Sequence, residues 1–218
     1  MSGVAIIAGA GPGVGLAVAR RFAQAGFSIG LIARREAPLR DASAGWGVPA
    51  AVAAADLAAP GAVAGAIAAL TATLGPATVL VYNAAGVTPG PAMAQGEEGF
   101  ARDLALSITG AFAAARAVHP GMRAAGSGTM LFTGGGLALS PAYGAGVASL
   151  TAGKSGLRGF VHALAGELAG EGIHVGTVTI AGTVAPGTGF DPALIAERFW
   201  QLHAEPRGEW TVEAVFTG

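Results

Sequence analysis

The chain has 218 residues and a formal net charge of −1, with 52% hydrophobic and only 11% charged residues. That is enough for one well-buried core and too little for two comfortable domains, and so little charge also suggests a buried oligomer interface. No basic run with interleaved aromatics is present, which argues against nucleic acid as a partner. Without cysteine there is no disulfide framework or thiolate metal site. The four histidines, His119, His162, His174 and His203, form no pair at ligand spacing, and no metal is expected.

In chain order, a first strand is predicted at Val4–Ala8 and a first helix at 14–25. The run VAIIAGAGPGVGLAV across their junction is apolar, but Gly-Pro-Gly interrupts it after about seven residues, short of the ~20 a membrane span needs. It also lacks the basic start of a signal peptide. A cytoplasmic protein with no membrane partner is expected.

Between that strand and helix lies AGAGPGVG, Ala8 to Gly15. Glycine here lets the chain turn sharply and lets a pyrophosphate approach the backbone. The helix N-terminus then offers unpaired N–H groups and a positive dipole. The spacing is GxxxGxG through Gly9, Gly13 and Gly15; strict GxGxxG from Gly9 and Gly11 fails at Val14. Gly9, Gly11, Gly13, Val14 and Gly15 are the candidate phosphate loop, the alternative being a tight turn without a ligand.

The second strand, Ser28–Ala33, runs into LIARRE and a helix at 36–44. A carboxylate at this strand end would bind the ribose hydroxyls of NAD. Arg34 and Arg35 stand there instead, and guanidinium forks suit a 2′-phosphate. NADP(H) is therefore expected in preference to NAD(H); surface arginines opening a helix are the alternative. A third strand, Ala50–Ala54, leads to Asp56 and Leu57, where the carboxylate could accept from an adenine amine. Further strands are predicted at Thr78–Tyr82, Thr129–Thr133, His174–Ile180 and Thr211–Phe216, and further helices at 60–74, 97–123, 148–170 and 191–203. Strand–helix alternation with near-continuous apolar strands predicts a parallel sheet covered on both faces, with right-handed crossovers. The fold class is α/β, a single Rossmann-type doubly wound domain over 1–218. Gly/Pro clusters at 86–91, 134–146 and 182–192 are loop-sized. The loops after Tyr82, Thr133 and Ile180 should rim one cleft beyond the carboxyl ends of the strands.

These motifs resemble the short-chain dehydrogenase/reductase family over nearly the whole chain. NAAG, comprising Asn83, Ala84, Ala85 and Gly86, matches the family's NNAG with Ala84 in place of the second Asn. GTMLFTGGG falls where the family has its catalytic serine, and Lys154 falls on the lysine of Tyr-x-x-x-Lys. TIAGTV resembles the turn that closes over the nicotinamide, with Ala181 in place of proline. The resemblance implies that Asn83 to Gly86, Ala181, Gly182 and Val184 line the cofactor. It also implies that Lys154 holds the nicotinamide ribose. A compact ammonium suits that task better than a planar fork, and Lys154 is the single lysine beside eleven arginines.

The catalytic positions depart from the family. Leu150 occupies the tyrosine position, i to the i+4 of Lys154 on one helix face, and Val147 occupies the longer-spaced one. Gly134, Gly135 and Gly136 end the fifth strand without a serine, and Leu137 lies thirteen positions before Leu150. The relay asparagine is replaced by Ser107. Carbonyl reduction needs a proton source, worth about 10²–10⁴ in rate. The candidates are Tyr143 in the loop before the lysine helix and Ser107 through water, with Tyr82 and Thr133 weaker.

The long helices carry Leu104, Ile108, Phe112 and Ala115 on one face and Leu157, Val161, Leu164 and Leu168 on another, and the resemblance implies a homodimer or homotetramer through them. The last helix, PALIAERFWQLHAEP, could cap the cleft with Leu194, Phe199, Trp200 and Leu202, implying a small apolar substrate. Three functions remain open. The first is an NADP(H)-dependent oxidoreductase with a non-standard site acting on a carbonyl or enone. The others are a nucleotide-binding sensor or scaffold, and a repurposed lyase or cyclase.

Overall fold

Val4–Ala8 (β1) is buried at all five positions, and a strand with no polar face must sit inside a sheet covered on both sides. The computed structural model describes residues 3–218; Met1 and Ser2 of the expected domain lie outside the described residues. The remaining strands are β2 Ser28–Ala33, β3 Ala50–Ala54, β4 Ala77–Tyr82, β5 Gly128–Gly135, β6 Ile173–Ile180 and β7 Glu213–Phe216. They form one seven-stranded sheet of order β3-β2-β1-β4-β5-β6-β7, parallel throughout. The helices are α1 Val14–Gln24, α2 Ala37–Ser43, α3 Ala62–Leu74, α4 Glu97–Leu104, α5 Gly110–Ala125, α6 Ala148–Leu168 and α7 Pro192–His203.

Strand alternation divides the core into two layers. Ile6, Leu80, Met130 and Phe132 face α3, α5 and α6. Ile7, Val79, Val81 and Leu131 face α1 and α7. The fold class is the expected α/β doubly wound sheet, with strand boundaries within about two residues of the sequence reading. β5 runs on through Gly134 and Gly135, and β7 begins at Glu213 rather than 211.

Two elements differ from expectation. The helix predicted over 97–123 is interrupted by a π turn at Ala105–Thr109. The Tyr82 hydroxyl donates to the Leu106 carbonyl at 2.5 Å. A Cβ at Gly110 would overlap both that hydroxyl and the Leu57 carbonyl. The extra residue in the turn accommodates this contact from β4.

The last helix does not cap the cleft. Ile195, Phe199 and Leu202 form a core stripe at helical spacing, and all three are fully buried against α1 and the sheet. Trp200 packs edge-on to Phe22 at 5.4 Å, under the Arg21 guanidinium at 4.2 Å. His203 lies in the same aromatic cluster, and burial, helped by His174, holds its pKa down at about 4.

β7 is tied to α6 by charge. Arg158 donates to both oxygens of Glu213 at 2.6–2.9 Å, and Thr179 Oγ1 donates at 2.6 Å. The Arg158 hydrogen bonds, reinforced by those of Thr179 and His162, hold the Glu213 carboxyl down at about 2 despite partial burial. A depressed carboxyl stabilises the fold above its unfolded value, and that contribution is lost as pH falls towards 2. Glu213→Gln is expected to cost about 2 kcal/mol at pH 7, discounted for the partly exposed Arg158. Denaturant unfolding should show the deficit shrinking between pH 4.5 and pH 2; a pH-independent deficit would mean that packing, not charge, holds the strand.

Candidate active site

The strand order reverses between β1 and β4, and the crevice beyond their carboxyl ends is where such sheets bind ligands. The turn from β1 to α1 fills one side of it. Gly9 has φ +89° and Gly13 φ +100°, backbone that side chains rarely tolerate. A Cβ at Gly15 would overlap the Gly9 carbonyl, so the helix can start this close only with glycine. Leu16 and Ala17 N–H groups donate back to Gly11 and Gly13. Among the described residues, the N–H groups of Gly13, Val14 and Gly15 have no backbone acceptor. A Cβ at Gly11 or Gly13 would meet nothing within 4 Å. Open space beside unpaired N–H groups at a helix N-terminus fits a phosphate.

At the end of β2, Arg34 and Arg35 are exposed. Among the described residues neither forms an ion pair. The carboxylate of this corner, Glu36, is occupied: it accepts from Arg40 at 2.6 Å and from the Ala54 N–H at 3.1 Å. Asp56 is also engaged, by Arg102 at 2.8 Å and the Ala58 N–H at 3.1 Å. The Arg102 hydrogen bond lowers its pKa. Leu57 is buried and turns its carbonyl towards Gly110.

The centre of the site is a chain of hydrogen bonds running from the lysine to the glycine turn. Lys154 Nζ donates to the Thr133 carbonyl at 2.6 Å. Thr133 Oγ1 donates to Asn83 Oδ1 at 2.8 Å. Asn83 Nδ2 donates to the Gly9 carbonyl at 3.0 Å. Lys154 is only 8% exposed, has no carboxylate partner among the described residues, and burial lowers its pKa to about 8. Its stem runs beside Gly135, where a Cβ would lie 3.3–3.4 Å from Cγ, Cδ and Cε.

The loop after β4 is latched from below. Ser107 Oγ, in the π turn, accepts the Gly86 N–H at 3.0 Å. Ser149 Oγ donates to Asp103 at 2.6 Å and accepts the Thr88 N–H at 3.2 Å. Gly90 donates to the Gly146 carbonyl at 2.8 Å, joining this loop to the one after β5. Ala84 and Ala85 lie half-buried between these ties. Sequence reasoning missed Asp103 and Ser149. The signal available was Asp103 standing i to the i+4 of Ser107, on one helix face.

The structure thus brings Lys154, Asn83, Thr133 and the glycine turn together, with Ser107 beneath Gly86. It does not bring Tyr143 into the cluster: that side chain is 83% exposed and makes no hydrogen bond among the described residues. Tyr82 is a core residue, its hydroxyl used on Leu106 and its pKa raised by burial. Leu150 is half-buried one turn before the lysine. After β6, Ala181 donates its N–H to the Phe216 carbonyl at 2.9 Å. The Phe190 ring covers Gly182, and Val184 is exposed at the mouth. Val87, Met93, Leu139, Tyr143 and Val184, on the loops after β4, β5 and β6, are exposed apolar or aromatic residues, Met93 at 96%. Among the described residues no cluster of three His, Asp or Glu is arranged for a metal, and no helix is long and apolar enough to cross a membrane.

A parallel doubly wound sheet with a glycine turn at its switch point defines a fold of the Rossmann class. The short chain dehydrogenase family model matches residues 3–190. The chain is 32% identical over 174 residues to the galactitol 2-dehydrogenase (L-tagatose-forming) of Cereibacter sphaeroides, covering 78% of this chain and 67% of that one. It is similar to the L-sorbose reductase of Gluconobacter frateurii complexed with NADPH and L-sorbose, with TM-score 0.89 and 26% identity, covering 100% and 95% of the two chains. It is also similar to a metagenomic short-chain oxidoreductase in complex with NADP, with TM-score 0.85 and 27% identity over 97% and 95%. This chain belongs to the short-chain dehydrogenase family.

Proposed function

We propose that the chain is an NADP(H)-dependent oxidoreductase that reduces a small apolar carbonyl or enone at a site without the family's tyrosine and serine. The observation that carries this reading is the buried ammonium of Lys154, hydrogen-bonded through Thr133 and Asn83 to the glycine turn. A buried charge without a carboxylate is costly unless a ligand uses it. A nicotinamide dinucleotide, when bound, supplies the hydride. The N–H groups of Gly13, Val14 and Gly15 take its phosphates, Arg34 and Arg35 the 2′-phosphate, and Lys154 the nicotinamide ribose. Asp56 and Leu57 flank the adenine. Asn83, Ala84, Ala85 and Gly86 form the floor under the ribose and nicotinamide, held level by Ser107. Ala181, Gly182 and Val184 close the far side.

The apolar rim of Val87, Met93, Leu139 and Val184 supports an apolar substrate, unlike the galactitol and L-sorbose of the two relatives. A cytoplasmic location and a homodimer or homotetramer through α5 and α6 belong to the same reading. Phe112 is 50% exposed there, beside the Phe160 ring at 6.1 Å.

A second reading, a nucleotide-binding protein without redox chemistry, is favoured by Leu150 and the glycines at 134–136. Dinucleotide fluorescence and a carbonyl and enone panel separate the two. NADPH binding with turnover supports the first; binding with no turnover across the panel supports the second. Arg34→Ala should weaken NADPH about tenfold or more and NADH less than twofold. Equal losses for both would contradict the 2′-phosphate assignment.

A further inference from the structure

We infer that Lys154 itself delivers the proton to the substrate oxygen, taking over the task of the absent tyrosine. This rests on the oxidoreductase reading above. The proton-bearing groups around the carboxyl ends of β4 and β5 are largely engaged. Tyr82 donates to Leu106, Thr133 Oγ1 to Asn83, and Ser149 to Asp103. Ser107 Oγ accepts the Gly86 N–H and is fully buried beneath it, which keeps its own proton away from a substrate. Leu150 has no proton to give, and the Tyr143 phenol stands in solvent. Among these groups the ammonium carries the most donor bonds. It has three N–H bonds, and among the described residues only the Thr133 carbonyl takes one.

Gly135 is the second observation. Its missing side chain is the space along which the lysine stem lies, 3.3–3.4 Å from where a Cβ would stand. A serine at 135 would crowd that stem. The glycine at the end of β5 therefore leaves the lysine stem its path inward. Burial also brings the amine's pKa to about 8, so it can lose and regain a proton near neutrality. An arginine stays charged and could not do this.

The step balances. Hydride from the reduced nicotinamide dinucleotide forms the new C–H bond at the carbonyl carbon. The C=O π bond breaks and its electron pair moves to oxygen. That oxygen takes a proton from Nζ, leaving a neutral amine, which water reprotonates. The dinucleotide is oxidised and the carbonyl reduced to an alcohol.

Because the chain has a single lysine, protein labelled with carbon-13 at lysine Cε gives one side-chain resonance, and its titration needs no variant. The expected midpoint is about 8 rather than 10.5, and kcat for reduction should fall with rising pH around the midpoint measured in the NADP-bound protein. Lys154→Met and Lys154→Arg should each lose about a hundredfold or more in kcat, measured at saturating NADPH. Tyr143→Phe should stay within about twofold.

Loss confined to the NADPH Kd and KM in both Lys154 variants, with kcat kept, would make Lys154 a ribose holder only. That outcome overturns the inference and leaves the oxidoreductase reading intact. A tenfold or greater fall in Tyr143→Phe overturns it in favour of the phenol. NADPH binding without turnover in the parent protein overturns both.

Discussion

Lys154→Met is expected to gain stability over the parent protein at neutral pH and to lose that gain as pH rises. In the folded chain, burial lowers the lysine pKa from 10.5 to about 8. Between those values the unfolded chain binds more protons than the folded one. Parent stability therefore rises with pH across that window. Methionine has a similar length and no charge to desolvate, so its stability lacks this dependence. The difference between variant and parent should change by about 2 to 3 kcal/mol between pH 7 and pH 10, in the parent's favour. The lost hydrogen bond to the Thr133 carbonyl offsets part of the gain, about 1 kcal/mol or somewhat more, at pH 7. Urea unfolding of both proteins at the two pH values measures the change. A constant difference would mean that the ammonium is not desolvated in the folded chain. A site kept for chemistry at the expense of stability should behave in the expected way.

Gly15→Ala should be damaging out of proportion to one methyl group. The added Cβ would overlap the Gly9 carbonyl and stand 3.0 Å from Asn83 Nδ2. Backbone cannot yield there as a flexible side chain would. Separating the turn from the helix also pulls Asn83 away from Gly9, and with it the chain leading through Thr133 to Lys154. About 3 kcal/mol of stability should be lost, together with dinucleotide affinity on the order of a hundredfold, since first-turn N–H groups displaced by an ångström no longer converge. Thermal unfolding and NADPH fluorescence read the two effects. Gly11→Ala, with nothing within 4 Å of its Cβ, is the control for folding; near-parental stability in both variants would show that the close approach at Gly15 is not needed.

The strands were legible because each is an apolar run that a two-sided sheet requires, and their order then placed the three loops on one cleft. The glycine turn was legible for the same local reason. The break in the helix over 97–123 was not, because its cause lies elsewhere: Tyr82 and Leu57 press on Gly110 from another part of the chain. The packing of α7 was misread because Phe199 and Leu202 are equally apolar whether they face a core or a cleft. At the site, Lys154 was visible as the odd cation. Its burial, its bond to a strand carbonyl and the room left by Gly135 are tertiary facts. The Ser149–Asp103 latch joins residues 46 positions apart, beyond any local pattern.

The connection from β6 to α7 spans the eleven residues 181–191, and α7 itself is anchored on α1. Among the described residues the connection holds no helix or strand of its own, so any movement there is a change of loop conformation and not the swing of a helical lid. On the oxidoreductase reading proposed above, bond-making is then the expected slow event, and the rate should depend little on solvent viscosity.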